Sequence, residues 1–303
     1  MSDNKQYVLA VPNFSDGKNK EVIEQVADQL RGVEGVKLVS CEPEEDFNRT
    51  VLTVIGEPEP LKEALLNMAG KSYELINMEE HKGTHPRIGA QDTIPMFPFK
   101  NITVDEVKEL AEEIGKEVYE RYNVPVYFSG ENARCEERKK LSFIRKGQYE
   151  GLKEVAHTDE RKPDIGPNKL HETAGATIVS AKEEGLTAYN IFLDTEDLSI
   201  AKKIARALRG PSGGFSTIRS VGIKFPERDG VVVSMNLFDC NNTPIYRAFK
   251  FVEQEAERYG VTVTGSELVG PVKLPYIINS LEYYLKLEGF RKEQILETHL
   301  MDM

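Results

Sequence analysis

The chain has 303 residues, room for one large domain or two ordinary ones, and its 40% hydrophobic and 29% charged composition excludes a disordered polymer. A net charge of −11 argues against general affinity for nucleic acid or anionic membranes, and an anionic small molecule would need a local cluster of Arg and Lys. No apolar run is long enough to span a membrane, and the segment MSDNKQYVLAVPNF lacks the apolar core of a signal peptide. Cys41, Cys135 and Cys240 are odd in number and make no CxxC pair, so a reducing cytoplasm is the expected compartment.

In chain order, YVLAVPNF (7–14) reads as a strand, and Val22, Ile23, Val26, Ala27 and Leu30 mark a helix. VKLVSC (36–41) and TVLTVIG (50–56) read as strands, Leu61, Ala64, Leu65, Met68 and Ala69 as a second helix, and TIPMFPF (93–99) as a strand. The order is β-α-β-β-α-β, the split βαβ or ferredoxin-like unit. Thr103 and Glu106 form a capping box ahead of a further helical stripe at Val107, Leu110, Ala111, Ile114 and Val118. VPVYFSG (124–130) follows as a strand. RCEERKK (134–140) reads as an exposed helix, and residues 147–175 as a long connection.

The same order returns in the second half. AYNIFLD (188–194) is a strand, and Ile200, Ala201, Ile204, Ala205 and Leu208 mark a helix ended by Gly210-Pro211. IRSVGIKF (218–225), the turn ERDG (227–230) and VVVSMNLFD (231–239) form a hairpin. Ile245, Ala248, Phe249, Val252, Ala256 and Tyr259 form a helical stripe, VTVTG (261–265) a strand, and the tail from Leu274 a helix. The expected fold is therefore α/β, specifically α+β. Two ferredoxin-like subdomains, 1–175 and 176–303, are expected with a substrate cleft between them.

HKGTHPRIGAQDT (81–93) concentrates the candidate chemistry. His81 and His85 lie four apart, a zinc spacing on a helix, but Gly83 and Pro86 break the helix and the glutamate of such sites is missing. A solvated loop is the favoured reading for His81. His85 sits in a restrained stretch beside Arg87, whose fork could hold a carboxylate, and a neutral imidazole there can accept and return a proton. GPSGG (210–214) lacks the Lys-Ser/Thr of a phosphate loop, so neither ATP nor NAD is implied.

Taken together, VPNFSDG (11–17), NRTV (48–51), HKGTHPRIGAQD (81–92), VPVYFSGENAR (124–134), DIGPNK (164–169), GATIVSAK (175–182), AYNIFLDT (188–195), VSMNLFD (233–239) and GSELVG (265–270) resemble glutamate formimidoyltransferases almost end to end. That family is the transferase half of formimidoyltransferase-cyclodeaminase. The resemblance implies transfer of a formimino group between N-formimidoyl-L-glutamate and tetrahydrofolate, late in histidine degradation, with tetrahydrofolate as co-substrate and no metal. It implies that His85 is catalytic. It also implies that folate is bound by Gly166, Pro167, Asn168, Lys169, Leu170, His171, Glu172, Thr173, Ala174 and Gly175. The family often forms homodimers. The alternatives are transfer of a formyl group from 5-formyltetrahydrofolate to glutamate on the same fold, and a zinc-dependent hydrolase.

Both substrates carry carboxylates. Among the cations in the matching stretches, Arg49, Arg87 and Arg134 adjoin small or turn-prone segments and are the expected clamps; Lys82, Lys169 and Lys182 are further candidates. Asn13 and Asn190 could hydrogen-bond a pterin or an amidine, or cap turns. Asp92 could orient the His85 ring, or serve as a structural carboxylate.

Overall fold

Residues 4–225 and 230–300 of the protein are described by its structure, a computed structural model. The chain forms two compact units that divide between Glu183 and Glu184.

The first unit contains β1 (Tyr7–Ala10), β2 (Asn13–Phe14), α1 (Lys20–Ala27), β3 (Val36–Glu44), β4 (Arg49–Gly56), α2 (Pro58–Leu75) and β5 (Gln91–Lys100). It continues with α3 (Val104–Tyr122), β6 (Val126–Gly130), the short α4 (Leu141–Ile144), α5 (Gln148–Val155) and β7 (Thr177–Ala181). β1 and β2 are two pieces of one path, broken at Val11-Pro12, and both pair antiparallel with β4 and with β5. β3 lies outside β4, so the order β3-β4-β1/β2-β5 is that of the expected split βαβ unit. β7 then adds parallel to β5, and β6 parallel to β7.

One sheet face is closed by helices. The helical stripes read from the sequence supply the buried residues: Val22, Ile23, Val26 and Ala27 of α1, Leu61, Ala64, Leu65, Met68 and Ala69 of α2, and Val107, Leu110, Ala111, Ile114 and Val118 of α3. They pack on Val8, Ala10, Phe14, Leu52, Val54, Ile94 and Met96. The capping box at α3 is formed: Thr103 Oγ1 accepts from the Glu106 N–H at 3.3 Å, and the Glu106 carboxylate accepts from the Thr103 N–H at 2.8 Å.

Two readings of this half change. The unit boundary lies eight residues beyond the expected 175, because TIVSA (177–181), buried at every position, completes the first sheet as β7. RCEERKK is not an exposed helix. It holds a single 3₁₀ turn, Glu136–Lys139, and Arg138 is buried, pairing with Asp164 at 2.6 Å and donating to the Glu160 and Lys162 carbonyls.

The second unit contains β8 (Thr187–Leu193), α6 (Leu198–Leu208), β9 (Ile218–Lys224), β10 (Val231–Leu237), α7 (Ile245–Arg258), β11 (Val263–Val269) and α8 (Leu274–Leu285). Its antiparallel order β11-β8-β10-β9 repeats the split βαβ arrangement. β11 begins later and runs further than VTVTG suggested, with a register shift at Gly265. The turn expected over 227–230 lies, apart from Gly230, outside the described residues.

Candidate active site

Residues 76–90 leave α2 and return to β5 as an irregular loop, and this loop carries both histidines. Backbone pairing with the segment 171–176 holds it in place. Met78 N–H donates to the Thr173 carbonyl at 2.7 Å, Ala90 N–H to Ala174 at 2.9 Å, and Ala176 N–H to Ile88 at 3.1 Å. The approach is too close for side chains at two points. A Cβ on Gly89 would lie 2.0 Å from the Ala176 carbonyl oxygen, and one on Gly175, at φ +74°, would lie 2.3 Å from the Ile88 oxygen.

His85 is half-buried on this loop. Arg49, the first residue of β4, sets Nη1 3.1 Å from His85 Nε2 and 3.3 Å from Nδ1. The ring of Phe47 meets the imidazole edge-on at 6.3 Å between centroids, and the Arg49 guanidinium lies over the same Phe47 ring. Glu44 pairs with Arg49 Nε, and Asn13 Oδ1 stands 3.4 Å from Nη1. Burial first, then the positive charges of Arg49, Arg145 and Arg87, push the His85 pKa down to about 3. The imidazole is therefore neutral at neutral pH.

His81 has a different role. Its Nδ1 accepts from Arg87 Nε at 3.2 Å, so its Nε2 carries the proton and donates to the Asn48 carbonyl at 3.0 Å. With both ring nitrogens engaged inside the protein, His81 is neither a solvated side chain nor free to bind zinc beside His85. Burial is the main cause that lowers its pKa.

Arg87, expected as a substrate clamp, is 4% exposed and filled by protein partners. Nη1 and Nη2 form a two-pronged pair with Glu150 at 2.8 Å each, Nη1 also donates to Gln148 at 2.9 Å, and Nη2 to the His81 carbonyl at 3.2 Å. The Glu150 carboxyl is held at about 2 chiefly by the Arg87 hydrogen bonds. Arg87 thus ties the histidine loop to α5. Asp92, expected to orient His85, instead accepts from the Ile88 N–H at 2.7 Å and pairs with Arg145. Arg145 was not singled out in the sequence. It follows the four-residue α4, in a stretch without a motif, and nothing in its spacing links it to His85.

Arg134 lies apart from these groups. It is exposed, pairs with Glu112 at 2.6 Å and covers the Phe128 ring, with no contact to His85 among the described residues. Asn190 is on β8 in the second unit, where it donates to Glu267 at 3.2 Å. Within 166–175, the stretch Gly166–Lys169 is exposed, whereas Leu170, Ala174 and Gly175 are buried. His171 closes a small turn, exchanging backbone hydrogen bonds with Gly175 at 2.9 and 3.2 Å while Nδ1 accepts from the Thr173 and Ala174 N–H groups.

A neutral histidine among cations is a site for moving a proton beside an anionic substrate. Residues 7–182 match the family model described as "Formiminotransferase domain, N-terminal subdomain", and residues 188–301 match "Formiminotransferase domain". The chain is 37% identical to the glutamate formimidoyltransferase of Streptococcus pyogenes serotype M1, over 97% of this chain and 98% of that protein. It is 38% identical to the protein of that name from Thermoplasma acidophilum, over 96% of each. Against the formimidoyltransferase-cyclodeaminase of Sus scrofa it is 36% identical over 94% of its own length, which spans 53% of that longer protein. The chain belongs to the formiminotransferase family.

Proposed function

We propose that this protein is a glutamate formimidoyltransferase that moves the formimino group between N-formimidoyl-L-glutamate and tetrahydrofolate, with His85 as the proton carrier. The observation that carries the reading is the neutral His85 ring held against Arg49 in a chain of this family. The reaction forms a bond from folate N5 to the amidine carbon and breaks the bond from that carbon to the glutamate nitrogen. N5 must lose a proton and the departing nitrogen must gain one. A single imidazole within reach of both nitrogens performs both transfers, a contribution of roughly 10²–10⁴-fold.

Arg49 favours the neutral, proton-accepting ring, and Glu44 fixes the guanidinium from its other side. Asn13, beside Arg49, is the proposed hydrogen-bonding partner for the amidine or the pterin. The folate segment remains Gly166–Gly175, supported by its backbone attachment to the loop that carries His85. Three cysteines without disulfides are in keeping with the proposed cytoplasmic location and a place in histidine degradation.

The test is turnover of N-formimidoyl-L-glutamate with tetrahydrofolate, wild type against His85→Ala. The variant should lose most turnover while keeping its fold and substrate binding. A wild type active only with 5-formyltetrahydrofolate and glutamate would replace this reading with formyl transfer.

A further inference from the structure

Arg49 and His85 come from separate segments, and their side chains meet because the turn before β4 is docked on the histidine loop. Among the described residues, three hydrogen bonds join residues 46–48 to residues 81–84. Thr84 Oγ1 donates to the Asp46 carbonyl at 3.0 Å, His81 Nε2 to the Asn48 carbonyl at 3.0 Å, and Asn48 Nδ2 to the Lys82 carbonyl at 2.7 Å. The two backbones touch at Gly83, where a Cβ would lie 2.5 Å from the Phe47 oxygen and 2.9 Å from Asn48 Cβ.

Asn48 also reaches a third segment. Its Oδ1 accepts from the Gly17 N–H at 3.0 Å, at the end of the stretch that carries Asn13, and Thr50 Oγ1 donates to the adjoining Asp16 carbonyl at 2.6 Å. Only one orientation of the amide serves both partners, with its oxygen toward Gly17 and its nitrogen toward Lys82. The backbone at Asn48 is left-handed, at φ +50°, a conformation that asparagine adopts more readily than most side chains. Arg49, the first residue of β4, follows at once. The Asn48 amide therefore fixes the main chain from which Arg49 departs, and Glu44, paired with Arg49 Nε, fixes the direction of its side chain. Together they determine where Nη1 arrives, 3.1 Å from His85 Nε2.

We propose that Asn48 is a positioning residue for proton transfer at His85: its amide fastens the Arg49 turn to the histidine loop and to the Asn13 stretch, and so sets the approach of guanidinium to imidazole. The assignment rests on the formimidoyltransferase reading and deepens it. Asn48 touches neither substrate; it acts through Arg49. An aspartate of the same shape would keep the Gly17 bond but set an oxygen against the Lys82 carbonyl, so the donor half of the amide is what the place requires.

Asn48→Gly tests the amide alone, because glycine accepts a positive φ without strain. With an active wild type, its kcat should fall roughly ten- to hundredfold, the scale of a misplaced catalytic group, while KM for both substrates stays near that of wild type. The His85 ring gives a second readout, by NMR titration of histidine-labelled protein. Arg49, Arg145 and Arg87 act on that ring, and Glu44 faces Arg49. With Arg49 no longer held, the His85 midpoint should rise in Asn48→Gly, as it should in Arg49→Gln. In the double variant the rise should not exceed that of Arg49→Gln alone. A lowered Tm with unchanged kcat and an unchanged His85 midpoint, or additive rises in the double variant, overturns the proposal. Asn48→Asp gives the same kcat comparison if the glycine variant fails to fold, and failure of both to fold assigns Asn48 to the scaffold and also overturns it. An inactive wild type removes the formimidoyltransferase reading instead, since the titration needs no substrate and tests Asn48 by itself.

Discussion

Arg49 lies against His85 with its Nη1 within 3.3 Å of both imidazole nitrogens. A neutral imidazole has one lone pair in the ring plane, and protonation would remove it and set two cations side by side. The pair therefore adds to burial in holding the proposed catalytic group neutral.

The first prediction concerns pH. An ordinary histidine titrates near 6.5, but His85 in the free protein is pushed down to about 3. The acid limb of kcat/KM should therefore lie well below 6.5. Arg49→Gln removes one of the depressing charges, so the limb should move upward, toward 6.5 but short of it, because burial remains. Coincident limbs in wild type and variant would remove Arg49 from control of the ring. The sign for stability follows: between about 3 and 6.5 the unfolded chain binds a proton at His85 that the folded chain refuses. Stability from this group is present above 6.5 and is lost as pH falls through that window, which a Tm series of wild type against His85→Gln would reveal.

Arg87 should behave as a strut. Arg87→Lys keeps the charge and loses the two-pronged contact with Glu150 and the bond to His81. The expected outcome is a stability loss of about 1–3 kcal/mol by denaturant unfolding, with little change in KM for either substrate. A large KM increase at unchanged stability would restore Arg87 as a substrate clamp.

His81→Ala is the companion case. It leaves the Asn48 carbonyl and Arg87 Nε without their partner, and should cost about 1–3 kcal/mol of stability. Turnover per folded molecule should fall far less than in His85→Ala. Zinc copurifying with wild type in stoichiometric amounts, and lost in His81→Ala, would contradict this.

Gly89→Ala should be among the most damaging single changes in the first unit. The new methyl would meet the Ala176 oxygen at 2.0 Å, and both segments are backbone, so neither can simply rotate away. A loss of more than about 3 kcal/mol is expected, or failure to accumulate folded protein. A circular dichroism melt indistinguishable from wild type would show that the two segments can part.

The helices were legible because burial is periodic. Every apolar position used to place α2 and α3 is buried in the first core. The strand β7 was missed as a strand because TIVSA, buried on both faces, lacks the alternation that marks a half-exposed strand. His85 is singled out by its motif and Arg49 by its place in a matching stretch, but spacing does not show that the two side chains meet. The partners of Arg87 and Asp92 were not legible, since spacing cannot reveal that Glu150 and Arg145, far along the chain, would claim them. Arg145 was invisible for the same reason: its meaning lies wholly in a fold that brings residue 145 beside residue 92.

The attachment of residues 171–176 to the histidine loop uses main-chain atoms alone, apart from the two glycines that allow the close approach. Peptide groups are the same whatever side chain they carry. Positions such as Glu172 and Thr173 can therefore change identity without shifting the ribbon that bears them. Under the folate assignment proposed above, exchanging side chains on this fixed track retunes ligand preference while the distance from the track to His85 stays as it is.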